Sequence, residues 1–135
     1  MTVLEEPIDC AAELAAWLAE SGHDAVADVL PDGFMDRLPI VLLRSSGGVR
    51  EWPVIDRHRI GVDAYGETVN EALAEARAVY ALLDTINAIP PMLGGAQAYS
   101  FASGGLPQRA DDPEHPDAPM ATFLAEVATR AKHTD

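Results

Sequence analysis

The clearest alternation of hydrophobic and polar residues lies between Arg57 and Tyr65. Every second residue in its latter part is apolar: Ile60, Val62 and Ala64. A two-residue period is typical of a strand with one buried face, because successive strand side chains point to opposite sides. The stretch therefore predicts a strand, which Gly66 ends.

A helical pattern follows this strand at once. From Val69 to Ile86, apolar residues recur at three- and four-residue steps, as expected of a helix with one core-facing side. Thr68 and Glu71 fit a capping box, in which each side chain accepts a hydrogen bond from the other residue's amide. The pair Pro90-Pro91 denies the helix any continuation. We therefore expect a strand, a short turn and a long helix to form one unit.

Shorter patterns precede this unit. Asp9 is placed to cap a first helix over about residues 9–21, and an alternating stretch after residue 23 predicts a short strand. The apolar run LPIVLLR, residues 38–44, predicts a central strand that ends in a turn at Ser45-Ser46-Gly47-Gly48. It should pair antiparallel with the strand at 57–65, as a hairpin with a long tip in which Pro53 favours a bend or an edge position.

Three segments follow the long helix. Residues 96–103 alternate and predict a strand. Residues 104–119 hold four prolines and the acidic run DDPEHPD, which predicts a flexible loop that does not pack as an element and leaves open whether a partner orders it. Residues 120–132 fit both helical and strand spacing, and their position favours a strand that closes the sheet. The prediction is one α+β domain, residues 1–135 with its core in 25–103, in which helices cover one face of a mixed or antiparallel sheet.

Charge and composition restrict the classes of function. The chain of 135 residues has a formal net charge of −13, so gripping a phosphate backbone is not its expected role. No apolar run approaches membrane-spanning length, and the N-terminus does not resemble an export signal, so assembly in a cytoplasm is expected. The single Cys10 cannot form an internal disulfide.

Motifs that would indicate catalysis or cofactor binding are weak. Ser100 and Ser103 lack a Gly-x-Ser-x-Gly frame, and the four histidines have no metal-ligand spacing. The glycine pairs at 94–95 and 104–105 do not precede a helix as a phosphate loop does. We therefore predict no catalytic residue, no cofactor and no metal.

Two acidic groups nevertheless leave a weak cation site open. Asp24, Asp28, Asp32 and Asp36 recur at every fourth residue but are interrupted by Pro31 and Gly33, so a solvated acidic face is the favoured interpretation. Four carboxylates surround His115, but mutual repulsion opposes ordering them in a mobile loop: Asp111, Asp112, Glu114 and Asp117.

A cluster of arginines marks the predicted hairpin. Arg44, Arg50, Arg57 and Arg59 flank Trp52 in the sequence. Arginine and tryptophan are frequent anchors of protein interfaces, so these five residues are the predicted interface, with a charged sheet edge as the alternative.

The order of these patterns resembles that of the tail terminator, or tail completion, proteins of long-tailed bacteriophages. Three stretches carry the resemblance: LPIVLLRSSGG, then RHRIGVDAYGETVNEALAEARAVYALL, then a proline-rich loop before a terminal alternating segment. They span roughly residues 25 to 130. The first helix and the DDPEHPD run lie outside the family's pattern.

The resemblance implies a structural virion protein with no enzymatic activity. Such a protein forms a ring, commonly a hexamer, that ends polymerisation of the major tail tube protein and joins the head-tail connector protein. It would reside at the head-tail junction of the virion, and DNA would pass through without specific binding. An acidic chain suits that role, because cationic walls would retain phosphates.

Two other classes stay open. A small ligand-binding or regulatory α+β domain, as a monomer or dimer, would have a pocket near Trp52, Tyr65 and Tyr99. A hydrolase would use the scattered aspartates and His115.

Overall fold

The protein is described here by a computed structural model covering residues 4–52 and 54–134. Within these residues two α-helices and nine strands follow one another, with 3-10 turns at Phe34–Asp36 and Thr85–Asn87. Their order is β1 (Leu4–Glu6), α1 (Cys10–Glu20), β2 (Ala25–Ala27), β3 (Ile40–Glu51), β4 (Ile55–Tyr65), α2 (Val69–Asp84), β5 (Met92–Leu93), β6 (Ala96–Ser103), β7 (Gln108–Ala110), β8 (Met120–Arg130) and β9 (Lys132–Thr134).

Seven of the described strands form one mixed sheet. Its order is β2-β3-β4-β8-β6-β5, and β7 pairs with β8 beside this path. Strand β2 runs parallel to β3, whereas the other pairs are antiparallel. Strands β1 and β9 pair separately. The predicted α+β fold with a mixed sheet is confirmed.

Strand β4 lies at the centre of the sheet. Each of its residues from Ile55 to Tyr65 pairs with β8, and ten of them also pair with β3. The terminal segment is therefore a strand, as predicted, because β4 offers it a complete row of backbone partners. A helix there would leave that side of β4 without hydrogen bonds.

Both helices cover the same face of the sheet. Asp9 caps α1 by accepting from the Ala12 amide at 3.2 Å, and the Thr68 hydroxyl caps α2 by accepting from the Glu71 amide at 3.1 Å. The second bond of the predicted capping box is not formed in the described chain. Alanines and leucines of the two helices bury the alternating apolar residues of β4: Ile60, Val62 and Ala64.

A second, smaller core covers part of the opposite face. Phe34 packs edge-on against Tyr65, with ring centroids 5.4 Å apart, beside Ile40, Leu42 and Ala118. The prediction that residues 104–119 do not pack as an element is therefore wrong. This segment contains β7, and its end buries Ala118 at 6% exposure because the apolar side chains on this face need a cover.

The predicted turn at residues 45–48 is also wrong. Strand β3 continues through these residues with a bulge between Ser45 and Gly48, and its ladder with β4 runs on to the Glu51–Ile55 pair. The hairpin tip is consequently short rather than long. Glycines at 47 and 48, with φ of 86° and 148°, let the backbone absorb the extra residue. The bend predicted at Pro53 lies outside the described residues.

Substitution of Gly48 should test this bulge. A Cβ at position 48 would lie 2.1 Å from the Arg57 carbonyl oxygen, and φ is positive, so Gly48→Ala must displace the ladder. We expect the free energy of unfolding to fall by about 2–3 kcal/mol in urea denaturation. Gly104→Ala, where nothing lies within 4 Å, is the matched control and should change it by less than about 1 kcal/mol. Equal effects of the two substitutions would contradict the bulge.

Candidate functional site

The predicted interface residues lie on one hairpin. We call residues 45–59 the hairpin arm, and its β3 side is exposed throughout. Trp52, at the tip, is 90% exposed, which is unusual for an indole. The arm therefore presents a large apolar side chain to solvent at the end of two paired strands.

The arginines of the arm are held by acidic neighbours. Arg50 donates two hydrogen bonds to Asp56, at 2.5 and 2.9 Å. Arg57 lies 2.6 Å from a carboxylate oxygen of Glu51 and 3.7 Å from one of Glu126. The pairs of Arg57 are solvent-exposed and contribute little stability, whereas Asp56 is 5% exposed and needs the Arg50 guanidinium as its donor.

The remaining two predicted interface residues, Arg59 and Arg44, have no acidic partner among the described residues of the arm. The Arg59 side chain is exposed, and its backbone carbonyl accepts from the Ser46 hydroxyl at 3.1 Å. Arg44 belongs to a different site, because its guanidinium donates two hydrogen bonds to Asp63, at 2.6 and 3.2 Å. The structure thus brings four of the five predicted residues together on the arm and separates Arg44 from them.

Asp63 is a buried carboxylate with several partners. It is 5% exposed and also accepts from the Thr122 hydroxyl at 2.8 Å. Its hydrogen bond with Arg44 raises the pKa of that guanidinium. Arg44 and Thr122 stand on the strands either side of β4, so the carboxylate is satisfied only in the observed register.

A cavity of about 760 Å³ opens beside this pair. It lies on the sheet face opposite the helices, at the end where β4 finishes with Tyr65. Its lining combines apolar side chains with charged ones, and the charged groups are Asp28, Arg44, Asp63, Asp111, Asp112, Glu114 and His115. Five carboxylates and one guanidinium line it, a formal net charge of −4 with histidine not counted.

Asp112 joins the loop to the sheet at this cavity. One carboxylate oxygen accepts from the Tyr65 hydroxyl and lies near His115 Nδ1, both at 2.8 Å, and the other accepts from the Glu114 amide at 2.9 Å. Burial opposes ionisation of Asp112, but these hydrogen bonds outweigh it and lower its pKa. Burial, and then the bond to Asp112, raises the pKa of Tyr65.

Only part of this cavity was predicted from the sequence. The acidic residues around His115 were singled out as a group, but Asp28, Asp63 and Thr122 were not predicted to lie next to them. An aspartate within the otherwise apolar stretch from Ile60 to Ala64 was the available signal, because a buried carboxylate needs donors. The pocket predicted near Trp52, Tyr65 and Tyr99 is wrong in its composition, since only Tyr65 lines the cavity.

Other candidate groups do not form a reactive arrangement in the described chain. Burial, with the nearby Asp9 and Glu13, raises the pKa of the Cys10 thiol to about 12, which disfavours a thiolate. The Ser103 hydroxyl donates to backbone carbonyls. Among the described residues, no three His, Cys, Asp or Glu side chains converge as metal ligands. Neither described helix combines the length and hydrophobicity that a membrane span requires.

Comparisons with known proteins leave the family open. No protein-family profile matches the chain, and no curated protein matches it in sequence.

Replacement of Asp112 should make the free energy of unfolding depend less strongly on pH in the acidic range. Its folded-state pKa is lowered, so its contribution is present above the ordinary aspartate pKa, near 4, and is lost as pH falls through the folded value. We expect Asp112→Asn to cost about 1–2 kcal/mol at about pH 6, and the difference from wild type to shrink as the pH falls below 4. Urea unfolding across this pH range measures both effects.

The control is Asp117→Asn, an exposed carboxylate in the same loop. It should leave the pH profile close to that of wild type. An Asp112→Asn profile parallel to wild type at every pH would contradict the role assigned to the carboxylate.

Proposed function

We propose that this protein is a structural virion protein that caps the tail tube of a long-tailed bacteriophage. In this proposal it assembles as a ring, commonly a hexamer, on the end of the tube. It stops addition of the major tail tube protein and offers its other face to the head-tail connector protein. It has no catalytic residue, cofactor or metal in this role, and it acts at the head-tail junction after synthesis in the host cytoplasm.

The hairpin arm is the observation that carries the proposal. An indole at 90% exposure is costly for a protein that acts alone, but it is an effective anchor once a partner covers it. The arm is stiffened by cross-strand ion pairs and by the Ser46 hydroxyl, so little conformational entropy would be lost on docking. These properties suit a subunit whose function is contact.

The distribution of charge supports the same proposal. The chain has a formal net charge of −13, although the arm itself carries three arginines and only two acidic residues. Acidic surfaces lining a ring would repel DNA and leave it free to move through. The cationic arm would still be attracted to acidic neighbours in the assembly.

The cavity supports a second candidate function. At about 760 Å³, with apolar and charged lining residues, it has the size of a small-molecule site. A ligand-binding or regulatory domain would be a monomer or dimer that binds a small molecule there. Size-exclusion chromatography with light scattering, in the presence and absence of tube protein, separates the two functions.

Removing the protein from its phage should disturb tail length and head joining. We expect particles made without it to have tails of irregular, extended length that are not attached to heads, because nothing stops tube growth. Electron microscopy of the lysate measures both properties. Supplying the wild-type chain from a plasmid should restore attached tails of uniform length.

A purified system provides an independent test. Addition of the chain to polymerising tube protein should stop elongation at a ratio far below one chain per tube subunit. Normal attached tails in the absence of the protein, or unchanged tube growth in its presence, would refute the proposed function.

A further inference from the structure

We propose that the tip of the hairpin arm of one copy inserts into the acidic cavity of a second copy. This inference rests on the proposed function, because it names the contact between neighbouring subunits of the ring. It follows from a match in shape and charge between two surfaces that lie at opposite ends of the same strand.

The tip of the arm combines exposed apolar side chains with arginines. Trp52, at the turn between β3 and β4, is 90% exposed, and Val49 on the β3 side of the arm is 54% exposed. Arg130, the cross-strand neighbour of Ile55, adds a further cation at this end of the sheet. Together the arm and its β8 neighbours Glu126 and Arg130 carry four arginines and three acidic residues, a net charge of +1.

The cavity is complementary to such a tip. Its apolar lining would contact an indole ring, through Val29, Leu30, Leu42 and Met120. Its net charge of −4 favours a cationic occupant, and its volume of about 760 Å³ exceeds what one indole needs. An indole at the end of an arm with a net positive charge therefore fits this cavity better than an anionic or wholly apolar group would.

The tip cannot reach the cavity of its own chain. Strand β4 has 11 residues, with the tip before Ile55 and the cavity beside Tyr65, so the two sites lie about 33 Å apart along the strand. The ladders with β3 and β8 hold β4 extended over this length. Only another molecule can bring a tip to this cavity.

In the proposed ring this contact is heterologous. Each copy uses its tip on one neighbour and its cavity on the other, and such head-to-tail contacts close into a ring when the rotation between copies allows it. The inference accounts for a cationic arm and an acidic cavity on one acidic chain. A two-fold dimer would satisfy both surfaces only by reciprocal insertion, and the size of the wild-type assembly distinguishes such a dimer from a ring.

Fluorescence of Trp52 tests the insertion directly. The chain has two tryptophans, and Trp17 is partly buried in the main core, so a Trp17→Phe background isolates the tip. As concentration rises, the emission should shift from that of a water-exposed indole to shorter wavelength, at the same concentrations where light scattering reports growth. A monomer with unshifted emission at its solubility limit would overturn the inference.

Two pairs of variants locate the contact. Asp111→Lys places a cation at the cavity and should weaken association, whereas Asp117→Lys, in the same loop but outside the lining, is its control. Trp52→Ala removes the anchor. Its control is Ile89→Ala, because Ile89 is 79% exposed and lies elsewhere on the surface. Each cavity or tip variant should weaken association at least about thirtyfold relative to its control. Melting curves confirm that each variant folds.

Mixing the two disrupted variants tests the head-to-tail geometry. Trp52→Ala keeps an intact cavity, and Asp111→Lys keeps an intact tip, so an equal mixture should form heterodimers and nothing larger. Wild type under the same conditions should form larger assemblies. A mixture that stays monomeric, or controls that weaken association equally, would refute the insertion.

Tail assembly separates this inference from the proposed function. If phage carrying Trp52→Ala makes attached tails of normal length, while phage without the protein does not, the insertion is wrong and the capping function stands. If phage without the protein makes normal attached tails, the capping function is wrong, and the solution measurements alone decide the insertion.

Discussion

The register of β4 between β3 and β8 is the constraint on which the rest of the structure depends. Because a strand alternates its side chains, this register places Ile60, Val62 and Ala64 under the helices. The same register places Asp63 between Arg44 and Thr122 on the opposite face. A slip of one residue would bury the carboxylate against the helices and expose the apolar residues, so one ladder fixes both the core and the charged site.

The two ends of this ladder have different surroundings. At the Tyr65 end, Phe34 and the loop around Asp112 cover the open face of the sheet and leave a cavity among them. At the Ile55 end β3 has no cover, and its residues from 44 to 51 are exposed. The ladder therefore has a recessed acidic site at one end, and the exposed Trp52 with the arginines of the arm at the other. This asymmetry underlies the proposed contact between copies.

Charge has different consequences at different depths in this fold. The Arg57–Glu51 pair of the arm is exposed and screened by solvent, so it serves mainly to align side chains. Asp63 is buried and needs its donors, since an unpaired carboxylate there would be strongly destabilising. The pairs of the buried Asp63 and Asp56 therefore depend on correct folding, whereas the exposed Arg57–Glu51 pair can exchange partners when another molecule arrives.

The sequence by itself determined the elements whose signals are local. Both helices with their capping residues, the strands at 57–65 and 96–103, and the acidic character of the chain follow from patterns within a few residues. Only the tertiary structure decided the remainder. The Ser45–Gly48 stretch stays in a strand because β4 continues beside it, and residues 120–130 form a strand because β4 needs a partner. The cavity joins groups distant in the chain, as where Thr122 donates to Asp63, and such contacts depend on cross-strand register, which no local pattern specifies.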